Sequence, residues 1–184
     1  MKRLIGKFVL FVSGWKASYL EKFHSDKCVM IAAPHTSNWD LLYALAVYWK
    51  ENVNAKFLIK DDYTKGIKGI LFKWLGAIGV DRSKNNNMVD YAVGLFKKKD
   101  KLILLVPAEG TRKKVKKWRM GFYHIAKKAN VPVSLGYLNY KDKIAGVGDL
   151  LNLSEDFEND MQIIEDFYRD IPAKYPELYN KKIF

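Results

Sequence analysis

Apolar residues follow two patterns along this chain, and the two patterns alternate. Short continuous apolar runs predict β-strands, whereas segments in which apolar residues recur every three or four positions predict helices. The predicted strands are Cys28–Ala32, Lys56–Ile59, Ile78–Val80, Leu102–Val106 and Val133–Leu138, with Lys143–Val147 as a weaker candidate. The predicted helices are Leu4–Leu20, Ser37–Glu51, Lys65–Leu75, Met88–Lys98, Arg119–Ala129 and Glu155–Arg169. The alternation predicts an α/β fold, with a central sheet, mostly parallel or mixed, flanked by helices in a single domain that spans residues 1–184.

The N-terminal segment, residues 1–22, combines basic residues with a helical apolar pattern. Its apolar stretch, Phe8–Val12, is far shorter than the roughly 20 residues that a membrane-spanning helix needs. We expect an interfacial helix that lies on a membrane surface, with docking on the protein's own core as an equally open alternative. The segment Lys65–Leu75 is a second candidate of this kind, because its apolar residues share one helical face and its lysines lie elsewhere.

Charge is distributed unevenly over the 184 residues. The C-terminal helix and tail, residues 154–184, contain four Lys/Arg and eight Asp/Glu, a net charge of −4. Since the whole chain carries +12, the preceding 153 residues carry +16. A basic body suits either nucleic acid or an anionic lipid surface. The chain has no zinc-finger spacing or RNP-like motif, so no nucleic-acid partner is expected. A basic nucleic-acid- or lipid-binding module without catalysis is kept as the alternative from another class.

The single cysteine, Cys28, excludes an intramolecular disulfide and offers no metal-ligand cluster. It lies in a predicted strand, where a buried small apolar side chain is expected. Nothing in this cysteine usage requires an oxidising compartment, so a cytoplasmic setting is predicted.

The segment Pro34–Asp40 follows a predicted strand and opens a predicted helix. Asp40, in the first turn of that helix, can fold back towards His35, fix the imidazole tautomer and leave the other ring nitrogen free to accept a proton. The alternative is structural, because Ser37-x-x-Asp40 also matches a capping box.

A second segment of polar residues, Glu109-Gly110-Thr111-Arg112, follows the most apolar predicted strand. Glycine allows a backbone to approach a ligand closely, and arginine can grip a phosphate with two parallel hydrogen bonds. The alternative is an ordinary solvated turn. Four lysines at positions 113, 114, 116 and 117 extend the positive charge of this segment.

The two segments together resemble the glycerolipid acyltransferase family, which carries an H-x₄-D motif followed by an E-G-T-R motif. Two further blocks are similar to that family: Lys60 with the segment from Gly76 to Arg82, and Gly121-Phe122 followed by Val131-Pro132-Val133. The resemblance covers residues 28–138, the expected catalytic core. The chain departs from the family pattern at Ala108, which separates Pro107 from Glu109, and at Leu135, where the family has a second proline. It also lacks the family's proline between Lys60 and Gly76. These departures leave the identity of the acyl acceptor open.

The resemblance implies an O-acyltransferase with the glycerol-3-phosphate acyltransferase-like fold. A fatty acyl group would move from acyl-CoA or acyl-carrier protein to the hydroxyl of a lysolipid, in first place 1-acyl-glycerol-3-phosphate, with another lysolipid such as a lyso-aminolipid as the alternative. His35 would be the general base and Asp40 its partner, and backbone N–H groups near Thr36–Asn38 are candidates for stabilising the oxyanion. The predicted substrate-binding residues are Lys60, Arg82, Glu109, Gly110, Thr111 and Arg112. No cofactor, metal or covalent acyl-enzyme is expected, and the protein is predicted to lie peripherally on the cytoplasmic face of a membrane.

Overall fold

A computed structural model of the chain describes residues 1–19, 25–81 and 87–184. Within these residues the α-helices are α1 (Lys2–Ser13), α2 (Trp39–Lys50), α3 (Gly66–Leu75), α4 (Met88–Lys98), α5 (Gly121–Ala129) and α6 (Phe157–Tyr168). The strands are β1 (Lys16–Tyr19), β2 (Lys27–Ala33), β3 (Ala55–Lys60), β4 (Ala77–Val80), β5 (Leu102–Val106), β6 (Val133–Asn139) and β7 (Ile144–Leu151). Two short 3₁₀ helices cover Asp61–Thr64 and Pro176–Leu178.

All seven strands form one mixed sheet in the order β1-β7-β6-β2-β5-β3-β4. The five strands from β6 to β4 run parallel, while β7 runs antiparallel to β6 and parallel to β1. The predicted α/β fold with a mixed central sheet is therefore confirmed. Because β2 lies between β5 and β6, the segments that follow these three strands emerge side by side at one edge of the sheet.

Alternate residues of the central strands enter two separate hydrophobic layers, as the two-residue period of a strand requires. In β2, Val29, Ile31 and Ala33 pack with residues of α4, α5 and α6. Cys28 and Met30 of the same strand face a second layer that α2 and α3 cover. Helix α1 packs on the outer side of α2, through Leu10 and the partly buried Val9. The helices thus cover both faces of the sheet.

The helix predicted to run from Leu4 to Leu20 is wrong from Gly14 to Tyr19. Leu20, and with it the end of the predicted segment 1–22, lies outside the described residues. Helix α1 ends at Ser13, and Gly14 adopts a left-handed conformation with φ 71°. The Gly14 N–H caps the last turn, which is the usual role of glycine at a helix end. Residues Lys16–Tyr19 then pair with β7 as an edge strand. Apolar spacing alone did not reveal this change, since the strand depends on a partner more than a hundred residues away.

Helix α1 has one face on the protein and another in solvent. A Cβ atom added to Gly6 would lie 2.4 Å from the carbonyl oxygen of Ala46, so the backbones of α1 and α2 are in close contact. On the other side, Leu4, Phe8 and Phe11 are 70%, 66% and 85% exposed. Docking on the protein's own core, one of the two alternatives from the sequence, therefore occurs, and it leaves apolar side chains of α1 exposed. No helix within residues 1–19, 25–81 and 87–184 is long and apolar enough to cross a membrane.

Candidate active site

His35 and Asp40 lie together at the carboxyl end of β2. The Nδ1 atom of His35 is 3.0 Å from Oδ2 of Asp40. A carboxylate can only accept, so Nδ1 is the protonated nitrogen and Nε2 carries the free lone pair. Asp40 is only 5% exposed. The predicted pairing of these two residues is confirmed in geometry.

Asp40 also organises the loop that carries His35. Its Oδ2 atom accepts hydrogen bonds from the backbone N–H groups of Thr36 and Ser37, both at 2.9 Å. The hydroxyl of Ser37 accepts from the Trp39 N–H at 3.2 Å. One carboxylate therefore binds both the imidazole of His35 and the backbone that leads into α2. The role of the pair as a general base stays a prediction.

The expectation that N–H groups near Thr36–Asn38 bind an oxyanion is not supported for two of the three residues. The N–H groups of Thr36 and Ser37 point at Asp40 and are already satisfied. A donor whose hydrogen bond is already made to a buried carboxylate is not free for a developing negative charge. Asn38, which lies on the wall of the neighbouring cavity, is the remaining member of that group.

Glu109 lies behind His35 rather than on the cavity wall. Its Oε1 atom accepts the backbone N–H of His35 at 2.8 Å, and the side chain is 4% exposed. Burial raises the pKa of the Glu109 carboxyl, an effect that the hydrogen bond from His35 opposes. Its second oxygen, Oε2, has no hydrogen-bond partner among the described residues. Glu109 thus links the second motif to the first by holding the backbone of His35.

A largely apolar cavity of about 430 Å³ opens beside His35 and Asp40. This volume falls within the range of small-molecule sites. The apolar part of its wall comes from α2, β3, β5, α4 and α5, and includes Leu41, Ala44, Phe57, Val89, Leu105 and Ile125. Its polar part includes Arg112 and Arg119. His35 and Asp40 therefore lie next to a space suited to a ligand with an apolar body and an anionic group.

Gly110 lets Arg119 reach this cavity. Its φ angle is +68°, and a Cβ atom at this position would lie 2.6 Å from Cδ of Arg119. The backbone N–H of Arg119 donates to the carbonyl of Ala108 at 2.8 Å, which fixes the backbone of Arg119 beside this turn. A glycine is therefore required here by both the backbone conformation and the crossing side chain.

Thr111 and Lys60, two other predicted binding residues, do not line the cavity. Thr111 accepts the N–H of Lys113 at 3.3 Å within its turn. Lys60 is exposed, pairs with Asp62 and borders a different depression beside the start of α3. Arg82 lies outside the described residues. The binding roles of these residues stay predictions, as do those of Glu109, Gly110 and Arg112.

Two residues at the site were not found from the sequence. Arg119 was assigned only to a helix start, yet its side chain lines the cavity. Tyr140 follows β6, and its hydroxyl donates a 2.5 Å hydrogen bond to Oδ1 of Asp40. A tyrosine after a strand is too common to signal chemistry by itself. Only the order of the strands indicates that Tyr140 is near Asp40, because β6 is the neighbour of β2 in the sheet.

The described residues contain no group of three or more His, Cys, Asp or Glu side chains arranged to hold a metal ion. Cys28 is fully buried in β2, and burial raises the pKa of its thiol to about 12. Its thiolate, the reactive form, is therefore scarce at neutral pH.

Known proteins are similar to this chain in sequence and in fold. The model of the family described as Acyltransferase matches residues 16–134, more than half of the chain. No curated protein matches the chain. Among solved structures, the fold is similar to that of the 1-acyl-sn-glycerophosphate (LPA) acyltransferase PlsC from Thermotoga maritima, with a TM-score of 0.65 at 16% sequence identity. The superposition covers 90% of this chain and 74% of the other. The H-x₄-D and E-G-T-R segments both lie within the matched residues, and the chain belongs to the acyltransferase family as an O-acyltransferase.

Proposed function

We propose that this protein transfers a fatty acyl group from a thioester donor, acyl-CoA or acyl-carrier protein, to the hydroxyl of a lysolipid. The acceptor proposed in first place is 1-acyl-glycerol-3-phosphate. The observation that carries the proposal is the His35–Asp40 pair, 3.0 Å apart, beside an apolar cavity that two arginines border. The solved structure with a similar fold is itself described as a 1-acyl-sn-glycerophosphate acyltransferase.

In the proposed reaction, Nε2 of His35 removes the proton from the acceptor hydroxyl as its oxygen attacks the thioester carbonyl. Asp40, bonded to Nδ1, stabilises the positive charge that forms on the ring. When the tetrahedral intermediate collapses, the carbon–sulfur bond breaks and the imidazolium gives its proton to the departing thiolate. General base catalysis of this kind is worth a factor of about 10² to 10⁴ in rate.

The cavity suits the two apolar substrates. Its aliphatic and aromatic walls would surround an acyl chain, and the guanidinium groups of Arg112 and Arg119 would bind the phosphate of the acceptor with paired hydrogen bonds. Burial of Cys28 and its raised pKa favour direct transfer without a covalent acyl-enzyme on that thiol.

A membrane surface is the proposed source of the acceptor. We name the exposed apolar side chains of α1 and α3 the apolar face: Leu4, Phe8, Phe11, Val12, Ile67, Ile70 and Leu71. The ammonium of Lys2 lies 5.1 Å from the ring centroid of Trp74 near the end of α3, so the two helices are neighbours. Both helices also carry basic residues, Lys2, Arg3 and Lys7 in α1 and Lys68 and Lys73 in α3. Apolar side chains flanked by cations are suited to an anionic lipid surface, and we propose peripheral binding on the cytoplasmic side.

An acyl-transfer assay tests the proposed reaction. Purified protein would be incubated with vesicles, a labelled acyl thioester on either carrier, and lysolipids that include lysophosphatidic acid and a lyso-aminolipid. Transfer by the wild type, lost by at least about a hundredfold in His35→Ala, is the expected result. The matched control is His124→Ala, which removes an exposed histidine of α5 that does not line the cavity.

Each other outcome is informative. Transfer that survives His35→Ala with the folded variant would contradict the proposed base. Absence of transfer from either carrier to any acceptor would contradict the proposed substrates and favour a lipid-binding role.

A further inference from the structure

Asp40 is held by Tyr140 from the side opposite to His35. Three donors reach Oδ2 of Asp40: Nδ1 of His35 and the N–H groups of Thr36 and Ser37. In the described part of the chain, Oδ1 accepts from one group, the hydroxyl of Tyr140 at 2.5 Å. The two residues are 100 positions apart, so this contact is made by the fold alone.

Tyr140 is itself fixed from several directions. Its backbone N–H donates to the carbonyl of Pro172 at 3.0 Å. Its ring meets Trp15 edge-on at a centroid distance of 4.9 Å. The ring also has the ammonium of Lys174 5.7 Å from its centroid. Packing on this scale restricts the side chain to one rotamer, so the hydroxyl is presented to Asp40 without a large entropic penalty.

The segment that holds Tyr140 also holds the loop of His35. Pro172 and Tyr175 belong to the same stretch after α6. While the Pro172 carbonyl accepts from Tyr140, the Tyr175 N–H donates to Oγ1 of Thr36 at 3.3 Å. The stretch after α6 therefore contacts both Tyr140, which donates to Asp40, and the loop that carries His35.

We propose that Tyr140 is a positioning residue, whose hydroxyl fixes the plane of the Asp40 carboxylate so that Oδ2 stays directed at Nδ1 of His35. The role rests on the proposed function, in which His35 is the general base. A carboxylate turns readily about its Cβ–Cγ bond, because that torsion has a broad, low barrier. Donors on one oxygen alone leave part of that freedom, and a donor on the second oxygen removes it.

The electrostatics are consistent with a donor that keeps its proton. Burial and the neighbouring Asp40 carboxylate raise the pKa of the Tyr140 hydroxyl far above its ordinary value. The hydroxyl is therefore protonated throughout the neutral range. A hydrogen bond to a charged group also contributes more than one between neutral groups.

A second tyrosine, Tyr43, allows the effect of losing a hydroxyl near Asp40 to be distinguished from the effect of losing a tyrosine hydroxyl elsewhere in the same aromatic cluster. Tyr43 stacks on Trp15 at a centroid distance of 4.3 Å and meets Tyr140 at 6.2 Å. Phenylalanine at either position keeps the ring and removes the hydroxyl. Tyr43→Phe is therefore the matched control for Tyr140→Phe.

The kinetic test measures kcat and KM for the donor and the acceptor separately. Tyr140→Phe is expected to lower kcat about ten- to a hundredfold with both KM values changed less than about twofold. Tyr43→Phe is expected to leave both parameters unchanged. In an Asp40→Asn background, Tyr140→Phe is expected to change kcat by less than about twofold, because the residue acts through the carboxylate. An equal loss in both backgrounds would overturn the proposal, since it would show a role independent of Asp40.

A second readout does not depend on activity. The downfield proton resonance of the His35 Nδ1–H, identified by its absence in His35→Ala, reports the hydrogen bond to Asp40. It is expected to shift or broaden in Tyr140→Phe and to stay in place in Tyr43→Phe. A resonance unchanged in Tyr140→Phe would overturn the positioning role even if the wild type transferred no acyl group, whereas a shift without any wild-type transfer would count against the proposed function alone.

Discussion

At the scale of the residue, the site depends on two buried carboxyl groups with different tasks. Asp40 joins the imidazole of His35, the start of α2 and Tyr140. Glu109, in the turn after β5, holds the backbone of His35. The carboxylate of Asp40 accepts from His35, Thr36 and Ser37, and that of Glu109 accepts from the backbone of His35. These contacts explain how a loop residue can have a defined orientation.

Burial of Glu109 makes stability depend on pH. Its pKa is raised in the folded state, so the folded state binds the proton more tightly than the unfolded chain does. The contribution of Glu109 to stability is therefore complete at low pH and is lost as pH rises through its folded-state pKa. We expect the unfolding free energy of wild type minus that of Glu109→Gln to fall as pH rises above the ordinary pKa of a glutamate carboxyl, about 4.3.

Urea unfolding at a series of pH values measures this difference. Glu177→Gln, at an exposed position, controls for the loss of one surface carboxylate. A difference between wild type and Glu109→Gln that does not vary with pH would show that burial does not perturb this carboxyl.

At the scale of the element, α2 connects the site to the surface. Its first turn holds Asp40, its inner side contributes Leu41 and Ala44 to the cavity wall, and its outer side receives α1. The close approach of α1 at Gly6 means that the α1 part of the apolar face packs on α2, the helix that begins at the site. The position of α1 therefore depends on the absence of a side chain at residue 6.

Substitution of Gly6 tests this dependence. In Gly6→Ala the new methyl group would lie 2.4 Å from the Ala46 carbonyl oxygen, so α1 has to move away from α2. We expect a loss of about 1–3 kcal/mol in the free energy of unfolding, as for other overpacked sites. Urea unfolding measures it, and proteolysis should release α1 faster.

The matched control is Gly94→Ala in the middle of α4. A Cβ atom at Gly94 meets nothing within 4 Å, so alanine should be neutral or stabilise the protein by up to about 1 kcal/mol through its higher helix propensity. Equal effects at positions 6 and 94 would contradict the tight contact between α1 and α2.

At the scale of the whole molecule, apolar exposure is concentrated in one layer. The apolar face lies on α1 and α3, both in the layer that α2 supports, while α4, α5 and α6 cover the opposite face of the sheet. Clustered exposed apolar side chains mark an interaction site more often than a free surface. Its orientation sets which side of the protein meets a bilayer in the proposed function.

Charge substitution on the apolar face tests membrane binding. Phe11, 85% exposed on α1, should enter the interfacial region of the lipid, so Phe11→Glu is expected to weaken binding to anionic vesicles by at least about tenfold. Vesicle co-sedimentation measures the affinity, and a rise in salt should weaken wild-type binding through screening of the basic residues.

Ile163→Glu is the control for this experiment. Ile163 is 43% exposed on α6, in the opposite layer, and its substitution should leave vesicle binding unchanged. Equal binding by wild type and Phe11→Glu would show that the apolar face does not contact the membrane.

The sequence by itself determined the class of fold and the order of its parts, because apolar periodicity reports which positions a strand or helix buries. The five predicted strands from Cys28–Ala32 to Val133–Leu138 are all present, and the weaker candidate at Lys143–Val147 is β7. The pairing of His35 with Asp40 was also accessible, since it is set within one loop and one helical turn.

Only the tertiary structure decided the contacts between distant segments. The edge strand β1, the place of Glu109 behind His35, the crossing of Arg119 over Gly110 and the hydrogen bond from Tyr140 to Asp40 have no local signal. Each except the Arg119–Gly110 crossing joins residues more than seventy positions apart. The physical reason is that parallel strands bring their following loops to one edge, so strand order determines which side chains meet.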